Sequence, residues 1–260
     1  MKLSALTSDA MIDFAIQTAK KAGEVIRNGM GKAVDVQHKG RIDLVTQIDR
    51  GSQRIIVEEI GRAFPTHSIL AEEGGSKQTG SRMRWIIDPL DGTVNFVHGI
   101  PIFCVSIALY RSEEPILGVC FNPITNEVYW AQEGRGAYCD EQRLSVSNTE
   151  HLIDSLVATG FPYTQQNIDV LTKRFLMVLS RVQGVRRLGS AALDLCYVAS
   201  GAFDAFWEEG LNPWDMAAGV LILAEARGRI SSLDGSPYHL AHGDILASNG
   251  RVHDELSSLM

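Results

Sequence analysis

Apolar residues recur at helical spacing in the N-terminal part of the chain. A first helix is predicted over residues 8–27, with an apolar face formed by Ile12, Ala15, Ile16, Ala19, Ala22 and Ile26. Gly29 is placed to end this helix, because glycine is common just beyond a helix C-terminus. A second helix is expected to follow Asp49 and to stop at Pro65, with an apolar side formed by Ile55, Ile56, Ile60 and Phe64.

Farther along the chain the apolar pattern shortens to runs that are typical of buried strands. Strands are predicted over residues 83–87, 103–110, 116–121 and 127–131. The connections between the later runs are short and rich in turn-forming residues, which favours antiparallel pairing. From Leu156 onward helices and strands alternate. Helices are expected over 170–181, 191–199 and 213–226, and strands over 205–208, 229–232 and 245–248.

The order of the predicted elements changes near residue 150. The change in topology near residue 150 divides the chain into an N-terminal α+β half, residues 1–150, and a C-terminal α/β half, residues 151–260. No compositional linker separates the two halves, so we expect one compact unit.

Composition narrows the range of functions and locations. The chain has 260 residues, 45% of them apolar, and a net charge of −7, which argues against a long basic groove for nucleic acid. The 4 cysteines form no C-x-x-C pair, so buried reduced thiols in a reducing cytosol are expected. The first residues lack the apolar core of a signal peptide, and the apolar stretch 217–226 is too short to span a bilayer. We therefore expect a cytoplasmic protein without a membrane partner.

The most informative segment is W-I-I-D-P-L-D-G-T-V-N-F, residues 85–96. A buried strand delivers Asp88, Pro89 turns the chain, and Asp91 then lies on the same side of the turn. Gly92 allows the backbone to approach a ligand closely, and Gly92 and Thr93 can open a helix whose free N–H groups attract an anion. A capped strand-to-helix turn would explain a bare D-x-x-D-G. The longer run instead favours an anion bridged to hard cations.

Two further acidic positions strengthen this interpretation. Glu72 and Glu73 follow an apolar run, where a solvated loop is the ordinary explanation, and Asp215 opens an apolar helix, where helix capping is the ordinary explanation. Three acidic groups at strand ends or helix starts are better explained together by a hard-metal site. Because no histidine or cysteine cluster accompanies them, the oxygen donors favour Mg²⁺ over Zn²⁺.

These motifs resemble those of the inositol monophosphatase family. Residues 85–96 resemble its first signature, and W-D-M-A-A-G, residues 214–219, resembles its second. The resemblance extends over nearly the whole chain and includes D-L-V-T at 43–46, A-E-E-G at 71–74, G-R-G-A at 134–137 and R-R-L-G-S-A-A at 186–192. Leu90 replaces a common isoleucine and Ala71 a frequent glycine. The resemblance implies an α+β fold, a layered α/β sandwich of the inositol monophosphatase and sugar phosphatase type.

The resemblance also implies roles for individual residues. Two or three Mg²⁺ ions would be held by Glu72, Asp88, the Leu90 carbonyl, Asp91 and Asp215. Thr93 would lie next to the attacking water, and Asp43 would support Thr93. The resemblance implies that Glu72 is catalytic as well. Substrate would contact Asp91, Gly92, Thr93, Gly189, Ser190, Ala191, Glu208 and Asp215. Family members are commonly homodimers and sensitive to lithium.

The preferred interpretation is hydrolysis of a small phosphate monoester, above all myo-inositol monophosphate, by a metal-activated water. The same chemistry on histidinol phosphate, fructose 1,6-bisphosphate or 3′-phosphoadenosine 5′-phosphate stays open. A phosphatase with an aspartyl-phosphate intermediate is disfavoured, because its D-x-D spacing differs from that of Asp88 and Asp91. The alternative from a different class is a regulatory binding protein of a transcription complex.

Overall fold

The computed structural model describes residues 8–32, 36–38, 44–162 and 168–260. Its helices are α1 Ser8–Gly29, α2 Gln47–Ala63, α3 Thr93–Val97, α4 Ile168–Leu179, α5 Ala191–Ala199, α6 Pro213–Glu225 and α7 His253–Ser257. Its strands are β1 Val36–His38, β2 Leu44–Thr46, β3 Ser68–Ala71, β4 Met83–Asp91, β5 Cys104–Arg111, β6 Glu114–Phe121, β7 Val128–Gln132, β8 Gly136–Cys139, β9 Gln142–Arg143, β10 Leu156–Thr159, β11 Gly184–Arg186, β12 Ala205–Glu209, β13 Arg229–Ser231 and β14 Asp244–Ser248.

Two main sheets organise the described residues. The larger sheet has the order β3-β4-β5-β6-β7-β8-β9, in which β3 runs parallel to β4 and the remaining neighbours are antiparallel. The smaller sheet has the order β11-β10-β12-β14-β13, and β10 is parallel to both of its neighbours. The strands β1 and β2 form a separate antiparallel pair. The antiparallel pairing expected for the central strands is confirmed.

Helices and sheets stack in alternating layers, as the α+β sandwich prediction requires. Successive residues of a strand point to opposite faces of a sheet, so Ile87 packs toward α1 and α2 while Ile86 packs toward α5 and α6. The other side of α5 and α6 meets the smaller sheet at Phe206, in the same apolar cluster as Ile86. The outer face of the smaller sheet is covered by α4 and α7. The central cluster therefore draws residues from both sides of position 150.

The predicted helices and the longer predicted strands agree with the structure, apart from their ends. The second helix begins at Gln47 and not after Asp49, because the Thr46 side chain caps it by accepting the Ile48 N–H at 3.0 Å. The strand predicted to end at residue 87 continues to Asp91 with an irregular register beyond Asp88. Elements that were not predicted are short: β1, β2, β3, β8, β9, β10, β11 and α7.

Small residues let α6 lie directly against the larger sheet. A Cβ on Gly118 in β6 would sit 2.7 Å from the Ala218 carbonyl oxygen, which no real side chain tolerates. On the next residue of the helix, a Cβ on Gly219 would meet Leu195 of α5 at 2.6 Å. The helix is buried along almost its whole length after its first turn. It is therefore held in place by backbone contact, and its first turn has a fixed position relative to the sheet.

The cysteines agree with the expectation of free thiols. Cys104, Cys120 and Cys196 are buried free thiols, and Cys139 is a half-buried free thiol. Within the described residues, no helix is long and apolar enough to cross a membrane.

Candidate active site

The end of β4 forms the floor of the site. Asp88 is almost fully buried, and its Oδ1 accepts the Leu90 N–H at 3.0 Å. The intervening Pro89 carbonyl accepts the Ser52 hydroxyl from α2 at 2.8 Å. The pairing of β4 with β5 shifts register between Asp88 and Asp91, and such an irregularity re-aims the side chains beyond it. The two aspartates are thus presented by a turn that is anchored to a helix.

Parallel pairing of β3 with β4 brings Glu72 beside Asp88. Ala71 lies opposite Ile87, so the next residue on each strand is acidic. The Glu72 N–H donates to the Ile87 carbonyl at 3.3 Å, which holds the strand ends together. The loop beyond is fixed by Gln53 of α2, whose Oε1 accepts the Glu73 N–H at 2.9 Å and whose Nε2 donates to the Gly74 carbonyl at 2.8 Å. The helix α2 therefore supports both acidic segments.

Asp91 is bonded to the start of α5. Its Oδ2 accepts the Ser190 hydroxyl at 2.5 Å and the Ala192 N–H at 2.9 Å. The remaining acidic residue, Asp215, stands at the third position of α6, where its Oδ2 accepts the Asn212 N–H at 2.7 Å. Asn212 is therefore the capping residue, and Pro213 occupies the first helical position, which suits proline. Asp215 belongs to a capping box, so its orientation is fixed from within the helix.

The carboxyl groups are crowded enough to disfavour their charged forms. Burial, followed by repulsion from Glu72, Asp91 and Asp215, holds the pKa of Asp88 well above its ordinary value. Burial also raises the pKa of Asp91 to about 7, although its bonds from Ser190 and Ala192 lower it. Burial and then repulsion from Asp91 raise the pKa of Asp215 to about 8. Bound cations would relieve this repulsion.

The donor set suits a hard cation. Carboxylate and carbonyl oxygens are the ligands that Mg²⁺ prefers, and the Leu90 carbonyl lies between the two aspartates of the turn. Within the described part of the chain, no three His, Cys, Asp or Glu side chains already converge as a closed metal site. The acidic residues nevertheless line one pocket. The fit to Mg²⁺ thus rests on donor chemistry and on charge.

Thr93 is supported by Asp49, a residue that the sequence analysis did not select. The Thr93 hydroxyl lies 2.9 Å from Asp49 Oδ1 and 3.0 Å from the Leu90 carbonyl, and its single proton can be given to only one of them at a time. Oδ2 of Asp49 accepts the N–H and the hydroxyl of Thr46 at 2.8 and 2.6 Å. Asp43, expected in this role, lies outside the described residues. The T-x-x-D spacing of Thr46 and Asp49, a capping-box pattern, was the available signal.

Two glycines let the two halves of the chain approach each other across the pocket. Gly92 has φ +92°, and a Cβ there would lie 2.9 Å from the Ile102 carbonyl oxygen and 3.2 Å from that of Gly189. Gly189 has φ +88°, and its segment is tied to the first half by Asn95, whose Nδ2 donates to the Leu188 carbonyl at 2.8 Å. The Gly189 segment is thereby held against the start of α3.

The structure gathers the described candidate residues around one pocket. They are Glu72, Asp88, Leu90, Asp91, Gly92, Thr93, Gly189, Ser190, Ala191, Glu208 and Asp215. Burial and then repulsion from Asp215 raise the pKa of Glu208 to about 8, while the Arg187 guanidinium opposes the shift. Other lining residues had no predicted role, among them Gly160, Phe161, Pro162, Arg187 and Asn212. Gly160, Phe161, Pro162 and Arg187 follow strands that only the pairing of the smaller sheet brings together, whereas Asn212 caps α6.

Comparison with known proteins agrees with the motifs and the geometry. Residues 7–259 match the model of the inositol monophosphatase family. The chain belongs to this family. An inositol-1-monophosphatase from Synechocystis is 45% identical over 252 residues, covering 96% of this chain and 88% of the relative. The Nus factor SuhB of Pseudomonas aeruginosa is 42% identical, covering 95% of this chain and 94% of the relative.

Solved structures of inositol monophosphatase relatives have the same fold. The crystal structure of the extragenic suppressor protein suhB from Bartonella henselae has a TM-score of 0.93 at 39% identity and covers 96% of this chain and 98% of that one. The inositol monophosphatase of Anabaena has a TM-score of 0.87 at 40% identity, covering 96% and 95%. The predicted family and fold are confirmed, and the chain is a phosphatase of the inositol monophosphatase family.

Proposed function

We propose that the protein hydrolyses small phosphate monoesters of polyols in a Mg²⁺-dependent reaction, with myo-inositol monophosphate as its preferred substrate. The observation that carries this proposal is one pocket that is lined both by the crowded acidic residues and by Thr93 and Glu208. An acidic pocket repels a phosphate dianion unless cations neutralise it, so the charge pattern itself favours a metal-dependent enzyme.

Two or three Mg²⁺ ions would be held by Glu72, Asp88, the Leu90 carbonyl, Asp91 and Asp215. When bound, they would lower the pKa of a water molecule and neutralise charge on the phosphate and the leaving oxygen. The chain supplies orientation. The bonds of Asp91 to Ser190 and Ala192, and of Asp215 to the Asn212 N–H, fix one oxygen of each carboxylate.

Thr93 orients the attacking water. When its proton is given to Asp49 Oδ1, a lone pair of the hydroxyl oxygen remains to accept a hydrogen bond from that water. Asp49 is itself held by Thr46, so the direction of the threonine hydroxyl is fixed before substrate arrives. Positioning of this kind reduces the entropy that must be lost on the way to the transition state.

The remaining walls would bind the two ends of the substrate. Backbone N–H groups of Gly92 and Thr93 are assigned to the phosphate oxygens. Hydroxyl groups of the leaving alcohol are assigned to the backbone of the Gly189-Ser190-Ala191 segment, to Glu208, and to Asp91 and Asp215. A polyol offers several such hydroxyls, whereas Glu208 would disfavour a second phosphate by charge repulsion.

A phosphate-release screen over a metabolite panel tests this function. The panel contains inositol 1-phosphate, histidinol phosphate, fructose 1,6-bisphosphate and 3′-phosphoadenosine 5′-phosphate, each with and without Mg²⁺. We expect the highest kcat/KM on inositol 1-phosphate. Preference for another member of the panel would replace the substrate and keep the phosphatase. Release of phosphate from none of them, with Mg²⁺ present, would contradict the proposal. We also propose that the enzyme is a cytoplasmic homodimer, for which light scattering at micromolar concentration gives the mass.

A second role in a transcription complex is supported by the name of one relative, the Nus factor SuhB of Pseudomonas aeruginosa. Binding to such a complex could coexist with catalysis. A native pull-down with wild type and with Asp215→Asn separates the two roles. Retention of transcription proteins by both variants would support an independent binding role, and retention by neither would contradict it.

A further inference from the structure

Three neighbouring strands of the smaller sheet end at the pocket, and each contributes a residue there. Arg187 directly follows β11, Gly160 directly follows β10, and Glu208 lies near the end of β12. β10 is the middle strand of the three and runs parallel to both neighbours, with Ala158 opposite Arg186 and Thr159 opposite Trp207. Neighbouring strands lie about 4.8 Å apart, so roughly 10 Å separates the outer two backbones.

Gly160 leaves the space between those strands open. A Cβ at this position would lie 2.0 to 2.1 Å from all three carboxyl atoms of Glu208, so the carboxylate lies directly over the Gly160 backbone. Gly189 leaves room for Arg187 in the same way, because a Cβ at Gly189 would lie 2.7 Å from Arg187 Nη1. Two glycines thus make room for two side chains of opposite charge on the same wall of the pocket.

Arg187 is the one cationic side chain among the described residues that line this pocket. Within the part of the chain that the structure describes, it makes no salt bridge within 4.0 Å. Its guanidinium is nevertheless close enough to favour the charged form of Glu208 and so to lower the pKa of that carboxyl group. A guanidinium offers hydrogen-bond donors alone, and a carboxylate offers acceptors alone.

We propose that Arg187 is a specificity-determining residue, which pairs with Glu208 to bind two neighbouring hydroxyl groups of the leaving alcohol. Arg187 donates to one hydroxyl oxygen, and the other hydroxyl donates to Glu208. The pair donates at one end and accepts at the other, so it fits an uncharged diol better than a second phosphate or a carboxylate, which mainly accept hydrogen bonds. The inference rests on the proposed phosphatase function and names the part of the substrate that selects it.

The test compares Arg187→Ala with Arg186→Ala on two substrates, inositol 1-phosphate and an aryl phosphate without hydroxyl groups. Arg186 is the matched control, because it is also exposed but does not line the pocket and donates to the Val185 carbonyl at 3.1 Å. Loss of a charged hydrogen bond predicts that Arg187→Ala raises KM for inositol 1-phosphate about tenfold, with a much smaller change for the aryl phosphate. Arg186→Ala should match wild type on both.

A double variant shows whether the two residues act as a pair. Glu208→Gln alone should also raise KM for inositol 1-phosphate more than it lowers kcat. Because each side chain is expected to hold the diol for the other, Arg187→Ala/Glu208→Gln should lose clearly less than the product of the two single losses. Arg187→Lys keeps the charge without the planar fork and should recover only part of the loss. Thermal unfolding of each variant confirms that it is folded.

Several outcomes would overturn the inference. Equal losses on both substrates would mean that Arg187 acts through the metal site or the fold. An unchanged KM for inositol 1-phosphate in Arg187→Ala would show that Arg187 does not bind the diol. A loss confined to fructose 1,6-bisphosphate would show that it binds a second phosphate group instead. In these cases wild type still hydrolyses inositol 1-phosphate and the proposed function stands. A wild type that releases no phosphate from inositol 1-phosphate with Mg²⁺ overturns both.

Discussion

The hydroxyl of Thr93 lies 2.9 Å from Oδ1 of Asp49, which joins the start of α3 to the first turn of α2. The carboxylate is fully buried and is held from its other oxygen by Thr46. The result is a chain of bonds that fixes a hydroxyl at the edge of an acidic pocket. Its direction is set by the protein, and the substrate does not have to set it.

Removing the Thr93 hydroxyl is therefore expected to reduce kcat strongly. Placement of a reacting water by a side chain is commonly worth about 100-fold or more, so Thr93→Ala should lose activity on that order while remaining folded. Thr93→Ser keeps the hydroxyl and is the matched control, which should retain most of the rate. Steady-state kinetics with inositol 1-phosphate measure both. Equal rates in the two variants would show that the hydroxyl does not take part.

Asp215→Asn separates the helix-capping role of this side chain from its proposed metal role. The amide oxygen of asparagine can still accept the Asn212 N–H, so the start of α6 and the melting temperature should change little. Loss of the negative charge should weaken Mg²⁺ binding and lower kcat by a large factor. A magnesium titration of the rate, beside thermal unfolding, distinguishes the two roles. Near-normal turnover at low Mg²⁺ would leave capping as its sole task.

Mg²⁺ should stabilise the fold as well as support turnover. Burial, and then repulsion between the acidic residues, raise the pKa of Asp88 and Asp215. A bound cation relieves the repulsion, and binding to the native state alone stabilises by about 2.7 kcal/mol at 100 times Kd. Differential scanning fluorimetry should show a rise in Tm with MgCl₂ that NaCl of equal ionic strength does not reproduce. Excess EDTA should abolish activity, and lithium should inhibit it. Full turnover in EDTA would contradict the mechanism.

A buried histidine that does not line the pocket should make stability fall in acid. His253 Nε2 lies 3.0 Å from the Ser231 hydroxyl and Nδ1 lies 2.8 Å from the Ser248 hydroxyl, which links α7 to β13 and β14. Burial, with a smaller effect of Arg229, lowers the pKa of His253 to about 4. The unfolded chain therefore binds a proton at His253 at pH values where the folded chain does not. The contribution of neutral His253 to the free energy of unfolding is complete above about pH 6.5 and is lost as the pH falls from there toward 4.

Urea unfolding of wild type and His253→Gln across this range checks the effect. The free energy of unfolding of wild type should fall by up to about 1.4 kcal/mol per pH unit more than that of the variant, because one proton is taken up. The variant should be less stable at pH 7.5, where the two serine contacts are intact in wild type. Parallel pH profiles would show that His253 is protonated within the fold.

Local motifs were sufficient to predict part of the site. Asp88, Leu90 and Asp91 belong to one turn, and their spacing alone defines it. Glu72 and Asp215 were recognised as acidic positions, but their distances from the turn depend on the parallel pairing of β3 with β4 and on the packing of α6. Such long-range relationships are not encoded in any short window of sequence.

The contact of Thr93 with Asp49 has a physical explanation of the same kind. The role of Asp43 stays a prediction, because this residue lies outside the described residues. The position of Asp49 depends on where α2 begins. Because Thr46 caps the helix, Asp49 falls in its first turn and is buried, whereas the apolar pattern predicts a helix that starts after Asp49. The sequence does not single out Arg187, because only the pairing of β10 with β11 and β12 brings it near Glu208.

The close contact of α6 with Gly118 also bears on how the protein is made. A growing chain emerges from the ribosome with Glu72, Asp88 and Asp91 long before Asp215, and with one apolar face of the larger sheet still uncovered. The helix that covers this face also carries Asp215, the last of the acidic residues proposed to hold Mg²⁺. A polypeptide that stops short of α6 would thus combine an exposed apolar sheet face with a pocket that lacks Asp215. Such a fragment is a ready target for chaperones and proteases, and it would not survive as a partly active enzyme.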